Sequence, residues 1–292
     1  MSAADLAQVA ASGLLIGLLY ALIAAGLSLI FGLMDVVNFA HGELLMLAMY
    51  ATFLLNRTAG LDPLLATPLI ALFLFALGLL LYRGLMARAL TVTVNRGMVQ
   101  IFITFGLAIF LRGAAQFAFG AEFRSIPKSW LANESARLGP VILPWPQLAA
   151  GLIAFLAFLL LFLVLRSEFG RALEATREDR EAVALIGIDR ERIFALGFGL
   201  GTGAVGIAGA ALAAFYYISP DVGANFALIA YVTVALGGFG SLAGALLAGI
   251  LIGEVEAFTA FLLTPSLKQL GMFALYVAVL ALRPQGLFGA RQ

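Results

Sequence analysis

The 292-residue sequence contains no cysteine and a single histidine, His41. The first absence excludes disulfides, iron–sulfur clusters, thiolate zinc sites and cysteine nucleophiles; the second removes any site that needs two imidazoles. The only lysines are Lys128, after Pro127, and Lys268, after Leu267, so a G-x-x-x-x-G-K-[ST] phosphate loop cannot be written anywhere in the chain. ATP, where it drives this protein, must be bound by another chain. Charge of either sign is scarce: 11% of residues are charged and 63% are hydrophobic, against roughly a quarter charged in a soluble domain. The formal net charge of +1 provides no basic footprint for nucleic acid.

What is present is apolar sequence in helix-length pieces. A membrane-spanning helix needs about 20 predominantly apolar residues. Residues 6–34, 63–82, 138–165, 193–220 and 222–253 carry no Asp, Glu, Lys, Arg or His, and 97–111 and 269–282 are shorter clean runs. The first basic residue is Arg57, so the N-terminus lacks the positive region of a cleaved signal peptide, and 6–34 reads as a retained membrane helix. Residues 44–56 are apolar but short, which predicts a broken or re-entrant segment. Residues 222–253 would run about 48 Å as one helix, and Gly237-Gly238-Phe239-Gly240-Ser241 is the natural break. The fold expected is an all-α integral membrane protein, a polytopic bundle of about eight spans with one or two discontinuous helices at 35–56 and 222–263. Interrupted segments at corresponding places in two halves point to an inverted repeat with a pathway at its interface.

Orientation follows from the basic loops, because cytoplasmic loops carry the excess of Lys and Arg. Arg83, Arg88 and Arg96 lie together without an acid, and residues 166–192 hold six arginines, Arg166, Arg171, Arg177, Arg180, Arg190 and Arg192. Both loops are expected in the cytoplasm, as is the C-terminus with Arg283 and Arg291. Parity then places the 120–146 loop, with Arg124, Lys128 and Arg137, outside.

Several constellations invite chemistry. Gly201-Thr202-Gly203-Ala204-Val205-Gly206 fits G-x-G-x-x-G, yet no strand precedes it, and Gly197, Gly199, Gly201 and Gly203 form overlapping G-x-x-x-G pairs that favour close helix packing in membranes. Gly240/Gly244 and Gly249/Gly253 repeat the spacing. Asp35 through Glu43 packs Asp35, Asn38, His41 and Glu43 between apolar stretches. Ionisable groups at membrane depth are costly and usually face a partner or a water-filled path; the segment either is a discontinuous helix lining a pathway or shaping a gate, or forms a loop at the interface whose Asn38 and His41 satisfy freed backbone groups. Arg112, with Gln116 one turn later, is expected to snorkel to the nearby surface. Glu254 and Glu256 do not share a helix face; at most one of them lines a cavity, and placement at the interface is expected. Residues 166–192 hold 13 charges in 27 residues and read as two short helices parallel to the membrane, with Gly187 as a C-cap, suited to a groove of a cytoplasmic partner.

The run Tyr20-Ala21-Leu22-Ile23-Ala24-Ala25-Gly26, the run Asn38-Phe39-Ala40-His41-Gly42-Glu43, the loop from Gly170-Arg171-Ala172 to Gly187-Ile188, Leu236-Gly237-Gly238-Phe239-Gly240-Ser241 and Arg283-Pro284-Gln285-Gly286-Leu287-Phe288-Gly289 together resemble the LivH-like permeases of branched-chain amino acid ABC transporters. The similarity runs in order from about residue 13 to 289. It implies one permease domain over 1–292, in the bacterial inner membrane, that is not itself an enzyme and binds no cofactor. It also implies a second, LivM-like permease subunit, two cytoplasmic ATPases carrying ATP and Mg, and an extracytoplasmic substrate-binding protein. By that likeness the 166–192 segment couples to the ATPases through Arg171, Glu174, Arg177, Glu178 and Gly187. The substrate pathway falls to Asn38, His41, Gly42, Glu43, Gly237, Gly238 and Gly240, and broken-helix backbone groups hold the ends of a zwitterionic substrate. The implied cargo is a branched-chain or other hydrophobic amino acid. The alternatives are the same architecture importing urea, short amides or aromatic acids, and an ion-coupled secondary transporter that needs no ATPase.

Overall fold

The structure, a computed structural model, describes residues 2–34, 37–90, 95–126, 129, 131, 134–179 and 182–288, with Met34, Leu90 and Arg96 in backbone only. The roles expected of Asp35, Lys128, Arg180, Gly289, Arg291 and the Arg96 side chain fall outside it. Among the described residues, seven helical stretches are long and apolar enough to cross a membrane: Ala3–Leu33, Pro63–Ala89, Gly97–Phe119, Trp145–Arg166, Arg190–Leu212, Leu242–Leu262 and Pro265–Leu282. Two shortened helices, α2 (His41–Ala59) and α10 (Val222–Gly237), accompany them, so the expected count of about eight falls between the long helices alone and the total with the shortened ones.

The order is α1 (Ala3–Met34), α2, α3 (Pro63–Leu81) continued by a π-helical turn (Tyr82–Met86) into α4 (Ala87–Leu90), α5 (Arg96–Phe119), a small hairpin β1 (Ser135–Leu138) and β2 (Val141–Pro144), α6 (Trp145–Arg166), α7 (Glu168–Glu178), the single turn α8 (Ala182–Leu185), α9 (Arg190–Leu212), α10, α11 (Leu242–Leu262) and α12 (Lys268–Leu282). The hairpin marks one end of the bundle. Gln8, early in α1, exchanges two hydrogen bonds with the Ile142 backbone, at 2.8 and 2.7 Å. The far end of α1 lies against α7 and α9, where Leu33 and Leu173 crowd Gly197.

Helices α1 and α9 are the most buried spans, and small residues let them pack by backbone. A Cβ on Gly201 would lie 2.7 Å from the Gly26 carbonyl oxygen, and one on Gly249 2.5 Å from Ala21 Cα. Lipid tails are as apolar as leucine, so association in a bilayer rests on such close packing. The G-x-G-x-x-G match therefore lies inside helix α9 and serves packing. Gly240 departs from that pattern: at φ 79° it belongs to a turn and not to a helix face.

The glycine break at 237–241 is a reversal. Helix α10 ends at Gly237, Gly238 takes φ 97°, and Ser241 caps α11 by accepting from the Gly244 N–H at 3.0 Å. The returning α11 lies so close to α10 that a Cβ on Gly237 would meet the Gly244 backbone. The stretch 222–253 is thus a helical hairpin. The Arg283–Phe288 segment explains itself here: the Leu287 and Phe288 N–H groups donate to the Leu236 and Gly237 carbonyls at 2.8 and 3.1 Å, satisfying acceptors that the end of a helix leaves open.

Candidate functional site

Helix α2 begins deep in the bundle. The His41 ring reaches the Ile23 carbonyl at 2.9 Å, and Ile23 lies eleven residues before the end of α1, about 16 Å at 1.5 Å per residue. The chain between α1 and α2 therefore returns part of the way into the bundle before α2 starts. A carbonyl only accepts, so His41 Nε2 is the donor in this bond. Asn38 supports the entry: its Oδ1 accepts from the Ala40 N–H at 3.1 Å, and its carbonyl accepts from the His41 N–H at 3.1 Å and from the Tyr231 hydroxyl at 2.9 Å. Asn38 and His41 thus do bond to backbone, but deep in the bundle and not in a loop at the interface.

Helix α10 meets α2 at this same point. A Cβ on Gly42 would collide with the Gly223 carbonyl and lie 2.6 Å from Ala227 Cβ, so the two shortened helices touch through glycine backbone. Glu43, in the first turn of α2, is 3% exposed and pairs through Oε1 with Arg112 Nη2 at 2.6 Å. This corrects the expectation for Arg112, whose guanidinium turns inward to Glu43 rather than snorkelling outward. The physical reason is the mid-bundle start of α2, which brings a carboxylate within reach; a paired charge is far less costly there than a lone one.

Glu256 is a second correction. It is 4% exposed, accepts from the Tyr20 hydroxyl at 2.7 Å and stands 3.7 Å from Lys268 Nζ, so it is an interior group and not an interfacial one. The α1–α11 glycine contact sets Tyr20 beside it. Glu254, two positions earlier, is only partly buried, as the absence of a shared face requires.

Toward the hairpin end the cluster is covered by aromatic rings. Tyr50 stacks on Phe119 at 4.2 Å, Arg124 lies 5.6 Å over the Phe53 ring, and the Arg124 and Ile218 backbones bridge at 2.8 Å. Gly237, Gly238 and Gly240 lie elsewhere, in the α10–α11 turn beside α7; Gly237 is six residues beyond Tyr231, about 9 Å along α10. The structure therefore groups Asn38, His41, Gly42 and Glu43 in one place and the three glycines in another.

Helix α7 presents Gly170, Leu173 and Thr176 to the bundle and leaves Arg171, Glu174, Arg177 and Glu178 exposed. Gly170 is required because a Cβ would run into the Leu165 carbonyl of α6. Arg171 pairs with Glu168. Glu174 and Arg177 line a cavity of about 140 Å³ shared with Ser28, Gly32 and Gly240, so α7 bears directly on the α10–α11 turn. Gly187, at φ 82°, ends the α8 turn. Among the described residues no group of three or more His, Cys, Asp or Glu side chains is placed to hold a metal ion.

Tyr231 and Gly223 belong to this geometry but carry no motif, and Tyr20 opens a run that stands out only through its family likeness. A hydroxyl inside an otherwise apolar run needs a partner when buried, and that was the available signal for the two tyrosines; Gly223 offered none.

Comparison with known proteins agrees with this architecture. Residues 9–280 match the family model described as branched-chain amino acid transport system / permease component. The chain is 32% identical to the high-affinity branched-chain amino acid transport system permease protein BraD of Pseudomonas aeruginosa, over 95% of this chain and 94% of that one. It is 30% identical to the permease protein LivH of Escherichia coli K12, with the same coverage. To the permease protein LivM of Salmonella typhimurium it is 29% identical over 92% of this chain and 68% of the other. No solved structure matches it. With its seven long apolar helices and a match spanning nearly its whole length, the chain is a multi-pass membrane protein that belongs to the family of branched-chain amino acid transport permease components.

Proposed function

We propose that this chain is one permease subunit of an ATP-driven importer that moves branched-chain or other hydrophobic amino acids across the bacterial inner membrane. The observation that carries the reading is the end-to-end similarity to permeases named for that cargo. The missing phosphate loop supports ATP and Mg residing on two separate ATPase subunits. A second, LivM-like permease and an extracytoplasmic binding protein complete the assembly. The arginine-rich end that carries α7 and α8 is the cytoplasmic face, and the 120–146 loop is the opposite one.

In this reading α7 is the handle for the ATPases. Its exposed Arg171, Glu174 and Glu178 meet the motor, while Arg177 and the buried Leu173 pass displacement to the α10–α11 turn. ATPase closure then shifts the membrane helices between two openings, with the bias set by contacts that differ between the two states.

The assembly reconstituted in vesicles is expected to take up leucine only when ATP is supplied. Uptake driven by an ion gradient without ATP, or uptake of urea alone, overturns the reading. Glu174→Ala combined with Glu178→Ala is expected to lower ATP-coupled uptake several-fold, with membrane insertion unchanged. Unaltered uptake by that variant would place the ATPase contact elsewhere in 166–192.

A further inference from the structure

We infer that the Glu43–Arg112 pair is the substrate's recognition site, in which Arg112 takes the carboxylate of an α-amino acid and Glu43 its ammonium group. This rests on the permease reading above and names the side chains that would read the cargo.

Four observations support it. Arg112 is 37% exposed although it lies well inside an apolar span. It lines a cavity of about 290 Å³ on the flank of α5 together with Phe105, Ala108, Ile109, Gly113 and Gln116. A guanidinium on a surface bathed by lipid tails is costly, so this flank of α5 faces a polar path or a protein partner. The cavity also combines one charged end and one amide with an apolar wall, which is the distribution of polarity in an aliphatic amino acid.

Hydrogen-bonding capacity is also left over at the pair itself. Glu43 Oε2 and Arg112 Nε are buried with no hydrogen-bond partner among the described residues. Buried polar atoms in native proteins are nearly always paired, so two such atoms on one ion pair require an explanation.

The pair also accounts for selectivity. With no substrate each charge neutralises the other. A zwitterion exchanges that single ion pair for two: its carboxylate draws the guanidinium outward, and the freed carboxylate of Glu43 receives its ammonium group. A molecule with only one charged end parts the pair but leaves Glu43 or Arg112 without a counter-charge, which is unfavourable; one with no charged end, such as urea, offers nothing in exchange and leaves the pair closed. The stationary phase of this exchange holds Glu43 in the first turn of α2, which Asn38 and the Gly42–Gly223 contact keep in place.

The test uses the complete transporter. Glu43→Gln and Arg112→Gln are each expected to lower leucine uptake at least tenfold. Because a single change strands the other charge and can impair assembly, the deciding variant is the double Glu43→Gln/Arg112→Gln, which leaves no charge behind. It is expected to copurify with its partner subunits like wild type and still fail to transport. A purely structural pair predicts recovered transport in the double variant, and that result overturns the inference. The chain's lack of cysteine permits a second readout: in Gln116→Cys, labelling by a charged, water-soluble thiol reagent is expected to slow several-fold with leucine but not with isovalerate, isopentylamine or urea. Equal protection by isovalerate, or none by leucine, also overturns it. ATP-dependent leucine uptake by the wild-type assembly is scored separately, so loss of the underlying reading is distinguished from loss of this one.

Discussion

Gly249→Val is expected to destabilise the protein by about 3 kcal/mol or more, the upper end of overpacking in a well-packed core. A Cβ at this position would lie 2.5 Å from both Ala21 Cα and Ala21 N, and 2.7 Å from Ala21 Cβ. The obstruction is backbone, which cannot rotate aside as a leucine terminus can. The same seam continues toward the start of α1 and the end of α11: a Cβ on Gly17 would meet Ile250 Cα at 2.7 Å, and one on Gly253 the Gly17 backbone at 2.5 Å. Relief at Gly249 therefore means separating α1 from α11 over several turns, with loss of the Tyr20–Glu256 hydrogen bond at its centre. The check is the thermal transition in detergent, with Leu251→Ala as the control. Leu251 is on the exposed face of the same helix, 36% exposed, where a change is typically within about 0.5 kcal/mol. A wild-type transition for Gly249→Val would mean that the two helices are not in contact there.

Gly42→Val is expected to abolish uptake while leaving the chain in the membrane. The long spans do not depend on this junction for insertion, but the entry of α2 does: an added Cβ collides with the Gly223 carbonyl and stands 2.9 Å from Ala227 N. Moving α2 away from α10 displaces Glu43 from Arg112 and Asn38 from Tyr231, the contacts that organise the interior cluster. Gly42→Ala is expected to lose at least tenfold in uptake, about 1.4 kcal/mol. Ala227→Gly added to it is expected to recover part of that loss, since it removes the methyl group 2.6 Å away but not the Gly223 carbonyl. Uptake per assembled complex is the measurement, and full activity in Gly42→Val would rule out a tight α2–α10 junction.

Particular residues show where sequence reading stops. The Asn38–Glu43 run stood out because three polar side chains within six positions have no ordinary place in apolar sequence. The glycines at 237–241 stood out because consecutive glycines disfavour helix. Neither pattern states depth or direction. The reversal at Gly238 depends on α11 lying against α1, and the cover on the last α10 carbonyls comes from residues 287 and 288, some fifty positions later. Arg112 and Glu256 escape a sequence reading for one reason: a local window contains no partner for either, and the cheapest local solution for a lone charge in an apolar helix is to reach for the interface.

Composition and spacing on their own determined the helical membrane class, the absence of a phosphate loop, the two shortened segments and the basic end with its amphipathic α7, since each follows from the cost of placing polar backbone or charge in hydrocarbon. Only the tertiary structure decided that α2 starts beside Ile23, that it meets α10 through Gly42 and Gly223, and that Glu43 and Glu256 have Arg112, Tyr20 and Lys268 as partners. Those are pairings between residues up to 236 positions apart, and where a buried charge finds its counter-charge is set by which helices pack closely enough to share an interior.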